Sequence, residues 1–194
     1  YTGLSAALEL ARAGYKVVVL EARTVGYGAS GRNGGQICTG FSSGQGKIES
    51  QLGKADAGKA FAIAEEGKQL LVDRLRDYKI DCDLTWGYLH CIPKPHQFDE
   101  LKSWQQELEQ HGVAGSTLLT RDELQDKLGT SIYHGALREA TAGHIHPLNY
   151  CLGLARAAQS HGAIIHENSA VIEIDDGARP WARTTEGRVT AKFM

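Results

Sequence analysis

Apolar residues recur at helical spacing at the start of the chain, and a glycine and an apolar run follow them. The spacing predicts a helix whose buried face carries four residues: Leu4, Ala7, Leu8 and Ala11. Gly14 is placed to end this helix in a left-handed cap. Residues 16–21 form an apolar, β-branched run that predicts a strand buried on both faces. With an acid at its end, Glu21, this order is typical of the second half of a dinucleotide-binding βαβ unit.

The same order of features returns near the end of the chain. Pro147 suits the first turn of a helix whose apolar stripe ends at Gly162. Residues 163–166 follow as a short apolar run and predict the next parallel strand of the same sheet. Beyond them, residues 169–185 predict a hairpin around the turn at Asp176–Gly177.

Between these two parts the pattern predicts amphipathic helices and separate strands. Residues 53–79 are alanine-rich and charged, which indicates one or two helices weakened at Gly58 and Gly67. Thr120 and Glu123 have the spacing of a capping box. The pattern therefore predicts a strand, a helix and a shorter capped helix, at residues 83–92, 98–111 and 120–129.

Glycine is the unusual feature of the composition, with 23 glycines against 4 prolines in 194 residues. Residues 26–36 hold five glycines, one arginine and two amides. Such backbone lets N–H groups converge on an anionic or electron-rich ligand. Arg32 can neutralise a phosphate, and Asn33 and Gln36 can bond the polar edge of a ring. A flexible surface loop is the alternative interpretation.

The βαβ pattern has a gap at its beginning. In such a unit a strand and a G-x-G-x-x-G turn precede the helix, and Gly3 sits where the third glycine belongs. Glu21 follows Gly3 by 18 residues, which suits a carboxylate that accepts hydrogen bonds from an adenosine ribose. The sequence therefore predicts that the chain begins inside its own phosphate loop.

Gly3 to Glu21, followed by Gly28-Ala29-Ser30-Gly31-Arg32-Asn33-Gly34-Gly35, resembles the FAD-binding start of the D-amino-acid-oxidase-like oxidoreductases. Within this class the chain resembles bacterial gamma-glutamylputrescine oxidases in three further segments, at residues 80–83, 143–149 and 187–192. The resemblance implies FAD as the cofactor and an α/β fold. That fold is an FAD-binding Rossmann-like domain of the glutathione-reductase type with part of an inserted α+β substrate domain.

The resemblance also implies a domain organisation. Residues 1–52 are the first part of the FAD-binding domain, residues 53–145 a partial substrate domain with a helical insertion, and residues 146–194 the second part of the FAD-binding domain. The chain would be truncated at both ends, without the first strand and the C-terminal remainder. Because the catalytic residues would lie in that remainder, we assign none. A molecule limited to these residues would bind FAD weakly or not at all, without turnover.

The same resemblance implies a role in cofactor binding for particular residues. Tyr1, Thr2 and Gly3 would face the FAD pyrophosphate at the helix start. Glu21 would hold the adenosine ribose, with Ala22 and Arg23 beside it. Val171 would contact the adenine through its backbone. The glycine-rich segment would run along the pyrophosphate and the ribitol towards the isoalloxazine ring, with eight residues: Gly28, Ala29, Ser30, Arg32, Asn33, Gly34, Gly35 and Gln36.

The activity implied by the resemblance is the oxidation of an amine such as gamma-glutamylputrescine. The substrate C–H hydride would pass to flavin N5, the imine would hydrolyse to an aldehyde, and O₂ would reoxidise the flavin and give hydrogen peroxide. The alternatives are a D-amino-acid dehydrogenase, a sarcosine-type oxidase, or an inactive nucleotide-binding fragment.

Charge and cysteine usage exclude other classes of function. The net charge is −2 with no basic block, which disfavours nucleic-acid binding. No apolar run reaches the roughly 20 residues of a membrane-spanning helix, and the first residues show neither the basic head nor the cleavage site expected of a secretion signal. Four separated cysteines indicate reduced thiols and a cytoplasmic protein. His134, His144 and His146 lack a carboxylate or cysteine at ligand spacing, so we expect no metal site. The pattern does not indicate an oligomeric state.

Overall fold

A computed structural model of the protein describes residues 1–38 and 40–194. Its helices are α1 (Thr2–Arg12), α2 (Gln45–Leu52), α3 (Lys54–Asp77), α4 (Phe98–Gln110), α5 (Arg121–Leu128) and α6 (Pro147–Ser160). Its strands are β1 (Val18–Leu20), β2 (Gln36–Ile37), β3 (Thr85–Ile92), β4 (Ser116–Thr120), β5 (Gly135–His144), β6 (Ile164–His166), β7 (Glu173–Asp175), β8 (Trp181–Arg183) and β9 (Arg188–Thr190). Short 3₁₀ turns lie at Ala29–Gly31 and Pro95–Gln97.

The chain divides into two compact units. The first unit contains Tyr1–Gly34, Leu75–Cys82 and His146–Met194, and the second contains Gly35–Arg74 and Asp83–Ile145. The assignment of cofactor binding and substrate binding to separate parts of the chain stays a prediction.

Two helices and two parallel strands form the centre of the first unit. The predicted apolar face of α1 is buried and packs against α6. Gly14 has a φ of +86°, and the Tyr15 N–H donates to the Leu10 carbonyl at 3.0 Å, which ends α1 in a left-handed turn. β1 and β6 pair in parallel, with Val19 opposite Ile165. The helix, its cap and the parallel pairing confirm the sequence predictions.

The exposure of β1 corrects one prediction. The sequence predicts a strand buried on both faces, but Val18 is 40% exposed and its partner Ile164 is 53% exposed. Within the described residues β1 pairs with β6 alone, so two strands form the whole sheet. A sheet this narrow leaves part of its apolar surface open, whatever the residue types in its strands.

A three-stranded antiparallel sheet completes the first unit. β7 pairs with β8 around the Asp176–Gly177 turn, and β8 pairs with β9. Glu173 lies opposite Arg183 in this register, and their side chains form an ion pair. The hairpin predicted from residues 169–185 is confirmed.

The second unit is built around the long strand β5. β3 pairs along one edge of β5. On the other edge, β4 pairs with the first half of β5 and β2 pairs with its last two residues. Consecutive residues of β5 point to opposite faces of the sheet and enter different apolar clusters. Leu137 packs with Phe61 of α3 and with side chains of α4, whereas Ala136 packs with Leu119 and with Leu124 of α5. The sheet therefore has helices on both faces.

The helices of the second unit follow their sequence signals. α3 continues through Gly58 and Gly67 as one helix of 24 residues. The Thr120 and Glu123 side chains form the predicted capping box at the start of α5, and Gly129 ends that helix with a φ of 66°. None of the described helices is both long and apolar enough to cross a membrane.

A buried carboxylate lies on β5, the strand that three others pair with. The Glu139 side chain is 1% exposed, and its Oε2 atom lies 3.3 Å from Nε2 of His90 on β3. This is ion-pair distance, although no N–H is aligned well enough to form a hydrogen bond. The His90 ring packs against Trp104 with 4.1 Å between ring centroids. Because a buried polar group needs a partner, we expect the Glu139 side chain to depend on His90.

We expect His90→Leu to lower the free energy of unfolding by about 3 kcal/mol, because Glu139 then stays buried without its partner. Replacing both residues by leucine should recover most of that loss, because no buried charge remains. Urea unfolding of the wild type, the two single variants and the double variant measures the coupling. Losses that simply add would show that the two side chains do not interact.

Candidate cofactor-binding site

The start of α1 leaves backbone donors open to a ligand. The first N–H bonded inside this helix is that of Ser5, which donates to the Tyr1 carbonyl at 2.8 Å. The N–H groups of Thr2 and Gly3 precede that bond, and no side chain caps them. A Cβ atom built on Gly3 would meet nothing within 4 Å. This helix end therefore combines free donors, the positive end of the helix dipole and open space, which suits an anion such as a phosphate.

The glycine-rich segment meets this helix end at Tyr1. The Tyr1 nitrogen donates to Ser30 Oγ at 2.9 Å, and Asn33 Nδ2 donates to the Tyr1 hydroxyl at 3.2 Å. Asn33 Nδ2 also lies 3.0 Å from the Ala29 carbonyl oxygen. Two segments that the sequence places about thirty residues apart thus meet in the first unit. Asn33 braces the loop, and its contact with a ring edge stays a prediction.

The loop itself is closed by a contact between two glycines. A Cβ atom on Gly31 would overlap the carbonyl oxygen of Gly26, and one on Gly26 would overlap Leu148 of α6. Gly26 also has a φ of +78°, which a residue with a side chain rarely adopts. Gly28 is different, because a Cβ there would meet nothing within 4 Å. The loop is therefore packed at Gly26 and Gly31 and open at Gly28, where a ligand has room.

Glu21 stands at the end of β1, as the sequence predicts. Its Oε1 atom accepts the backbone N–H of Arg23 at 2.9 Å, and its second oxygen has no partner among the described residues. The Ser169 N–H donates to the Glu21 carbonyl at 2.8 Å, and the Asn168 N–H to that of Arg23 at 2.7 Å. These bonds bring the segment before Val171 beside the end of β1. One Glu21 oxygen is left to accept a hydroxyl.

The hydroxyl of Tyr1 is held inside the first unit. It donates to the Pro147 carbonyl at 3.1 Å, and the ring packs against Tyr150 with 5.3 Å between centroids. Burial raises the pKa of the Tyr1 phenol, an effect that the hydrogen bond from Asn33 opposes. The phenol therefore stays neutral at physiological pH and acts as a structural hydrogen-bonding group.

Gly35 and Gln36 belong to the second unit. The Gly35 carbonyl accepts the Ile145 N–H at 3.0 Å, and Gln36 pairs with His144 at the end of β5.

His146, in the first unit, caps α6: its Nδ1 atom accepts the Asn149 N–H at 3.3 Å. Among the residues that the structure describes, no three His, Cys, Asp or Glu side chains form a metal-binding group.

Sequence reasoning missed Tyr27. Its ring lies against the guanidinium groups of Arg23 and Arg32 and so joins the end of β1 to the glycine-rich loop. An aromatic residue between two glycines, with an arginine four positions before and five positions after it, is the signal that would have found it.

We expect Gly31→Ala to destabilise the protein by about 2 kcal/mol, because the new methyl group overlaps a backbone carbonyl that cannot move freely. Gly28→Ala is the matched control, since that position is open and has an ordinary φ of −82°. Urea unfolding of both variants checks the difference. Equal stabilities would mean that the close contact between Gly26 and Gly31 does not constrain the loop.

Comparison with known proteins extends these observations over the whole chain. Residues 1–193 match the family described as DAO, FAD dependent oxidoreductase. The chain is 39% identical over 194 residues to gamma-glutamylputrescine oxidoreductase of Escherichia coli, covering 100% of this chain and 46% of that protein. It is 40% identical over 175 residues to the probable oxidoreductase OrdL of Haemophilus influenzae, covering 90% of this chain and 41% of the relative. The chain thus spans less than half the length of these relatives.

Solved structures agree on the fold. Glycine oxidase from Geobacillus kaustophilus superposes with a TM-score of 0.75 at 23% identity, over 97% of this chain and 50% of that one. L-amino acid deaminase from Proteus vulgaris gives a TM-score of 0.76 at 17% identity, over 96% of this chain and 42% of that one. These likenesses confirm the predicted α/β, Rossmann-like fold. With the family match over residues 1–193 and the 39% identity, the chain belongs to the DAO family of FAD-dependent oxidoreductases.

Proposed function

We propose that the chain binds FAD in its first unit and that the protein oxidises an amine. The main support for the cofactor site is that the start of α1 and the glycine-rich loop contact each other at Tyr1. The residues present fit a dinucleotide: open helix donors and space at Gly3 for the pyrophosphate, and one Glu21 oxygen for a ribose hydroxyl. Arg23, Arg32 and the backbone around Gly28 and Val171 extend the site along the cofactor.

The chemistry follows from the cofactor. When bound, FAD would supply the acceptor for a hydride from the carbon beside the amine nitrogen, and O₂ would then take up two electrons and two protons to give hydrogen peroxide. The residues described here bind and orient the adenosine and pyrophosphate, and none of them is assigned to the reacting carbon. Gamma-glutamylputrescine is the proposed substrate, on the basis of 39% identity to an oxidoreductase named for it. A D-amino-acid dehydrogenase, a sarcosine-type oxidase and an inactive nucleotide-binding chain are the alternatives.

The cysteines support a cytoplasmic location, which we propose on that basis. All four are free. Burial raises the pKa of the Cys91 and Cys151 thiols, so these groups stay protonated at neutral pH.

Binding of FAD is tested by titrating the whole protein and following the quenching of flavin fluorescence. We expect Glu21→Gln to weaken binding at least about tenfold, because a charge-assisted hydrogen bond to the ribose is lost while the Arg23 N–H keeps an acceptor. Glu9→Gln, an exposed carboxylate on α1, is the control and should bind as the wild type does. Equal affinities for Glu21→Gln and wild type would remove Glu21 from the site.

The substrate class is tested by mixing the FAD-loaded whole protein anaerobically with different amines and following the flavin band at about 450 nm. Bleaching by gamma-glutamylputrescine, and peroxide on admission of air, is the expected result. Bleaching by D-alanine or sarcosine alone would assign one of the alternative oxidoreductases. Bound FAD that no amine reduces would contradict amine oxidation and leave a nucleotide-binding chain.

A further inference from the structure

Two arginines of the first unit lie against one aromatic ring. The Arg32 guanidinium carbon is 4.7 Å from the centre of the Tyr27 ring, and that of Arg23 is 5.6 Å away. Both distances are within the range of cation–π attraction. The ring is 50% exposed, so the three side chains form a group at the surface of the unit.

The charges of this group are not neutralised within the described part of the chain. Neither guanidinium forms a hydrogen bond or an ion pair with a residue that the structure describes. Glu21, the acid closest to Arg23 in sequence, accepts its backbone N–H and not its side chain. Two like charges held on one ring repel each other, and an anion between them would relieve that repulsion.

The backbone around Tyr27 fixes where the ring stands. The Tyr27 N–H donates to the Thr24 carbonyl at 3.0 Å, which closes a turn directly after Arg23. On the other side, Gly31 packs so closely against the Gly26 carbonyl that no side chain would fit there. This contact keeps Arg32 close to the turn. The Tyr27 ring therefore lies between the turn after Arg23 and the segment of Arg32, which the Gly26–Gly31 contact holds close together.

We propose that Tyr27 is a positioning residue that holds Arg23 and Arg32 in place for the diphosphate of a bound dinucleotide. This inference rests on the proposed function, because the diphosphate is that of FAD. Without the ring, two exposed arginine side chains would each lose conformational freedom on binding. With the ring, most of that ordering is complete before the anion arrives.

The first test concerns the free protein. In the wild type, the side-chain protons of Arg23 and Arg32 should show the upfield ring-current shifts of protons above an aromatic face in an NMR spectrum. Tyr27→Phe should keep these shifts, and Tyr27→Leu should remove them. Tyr15→Leu, another exposed tyrosine at 57%, is the control and should leave them unchanged. Unshifted arginine protons in the wild type would overturn the proposal without any reference to FAD.

The second test measures the affinity for FAD as a function of salt. We expect Tyr27→Leu to bind about tenfold more weakly, as two exposed cation–π contacts imply, and with a shallower dependence on salt. Tyr27→Phe should bind like the wild type, since the ring and not the hydroxyl carries the effect. If Tyr27 were only needed for stability, its replacement would not change the salt dependence of FAD binding, and Tyr27→Phe would not be expected to bind like the wild type.

The outcomes separate the two proposals. Ring-current shifts in a whole wild-type protein that fails to bind FAD would overturn the proposed cofactor site and, with it, the role of Tyr27 towards a diphosphate. Binding of FAD that is equal in Tyr27→Leu and wild type would overturn the positioning role alone.

Discussion

The loop after β1 can fold back on itself only because residue 31 carries no side chain. With Gly31 against the Gly26 carbonyl, the chain reverses its direction and brings Ser30 and Asn33 to Tyr1 at the start of α1. Packed backbone cannot yield to even one added carbon without moving its neighbours. The open helix end, the loop and the ring of Tyr27 thus owe their arrangement to one steric constraint.

The two units treat polar groups in opposite ways. In the first unit, no side chain caps the backbone N–H groups at the start of α1, and two arginine side chains have no ion-pair partner among the described residues. In the second, Glu139 is enclosed on the strand that three others pair with, beside His90. Outward polar groups without partners suit a ligand, whereas an enclosed charge constrains how the surrounding side chains pack.

Local periodicity was enough to predict much of the fold. The apolar spacing of α1, its glycine cap and the capping box of α5 each depend on residues within one or two turns, and the structure agrees with them. The exposure of β1 could not be predicted this way, because a run of valines reports its own residue types and not how many strands lie beside it. The site divides along the same line. Glycine spacing located the loop, but only tertiary contacts show that Asn33 bonds inward and that Tyr27 gathers two arginines.

His146 lies between the start of α6 and the hydrogen bond that holds Tyr1. Because Nδ1 of this imidazole accepts the Asn149 N–H, the ring must carry its proton on Nε2, so the start of α6 selects one tautomer. The next residue, Pro147, receives the hydroxyl of Tyr1. One imidazole acceptor at the start of α6, and the carbonyl of the residue after it, thus hold the tyrosine on which the glycine-rich loop rests.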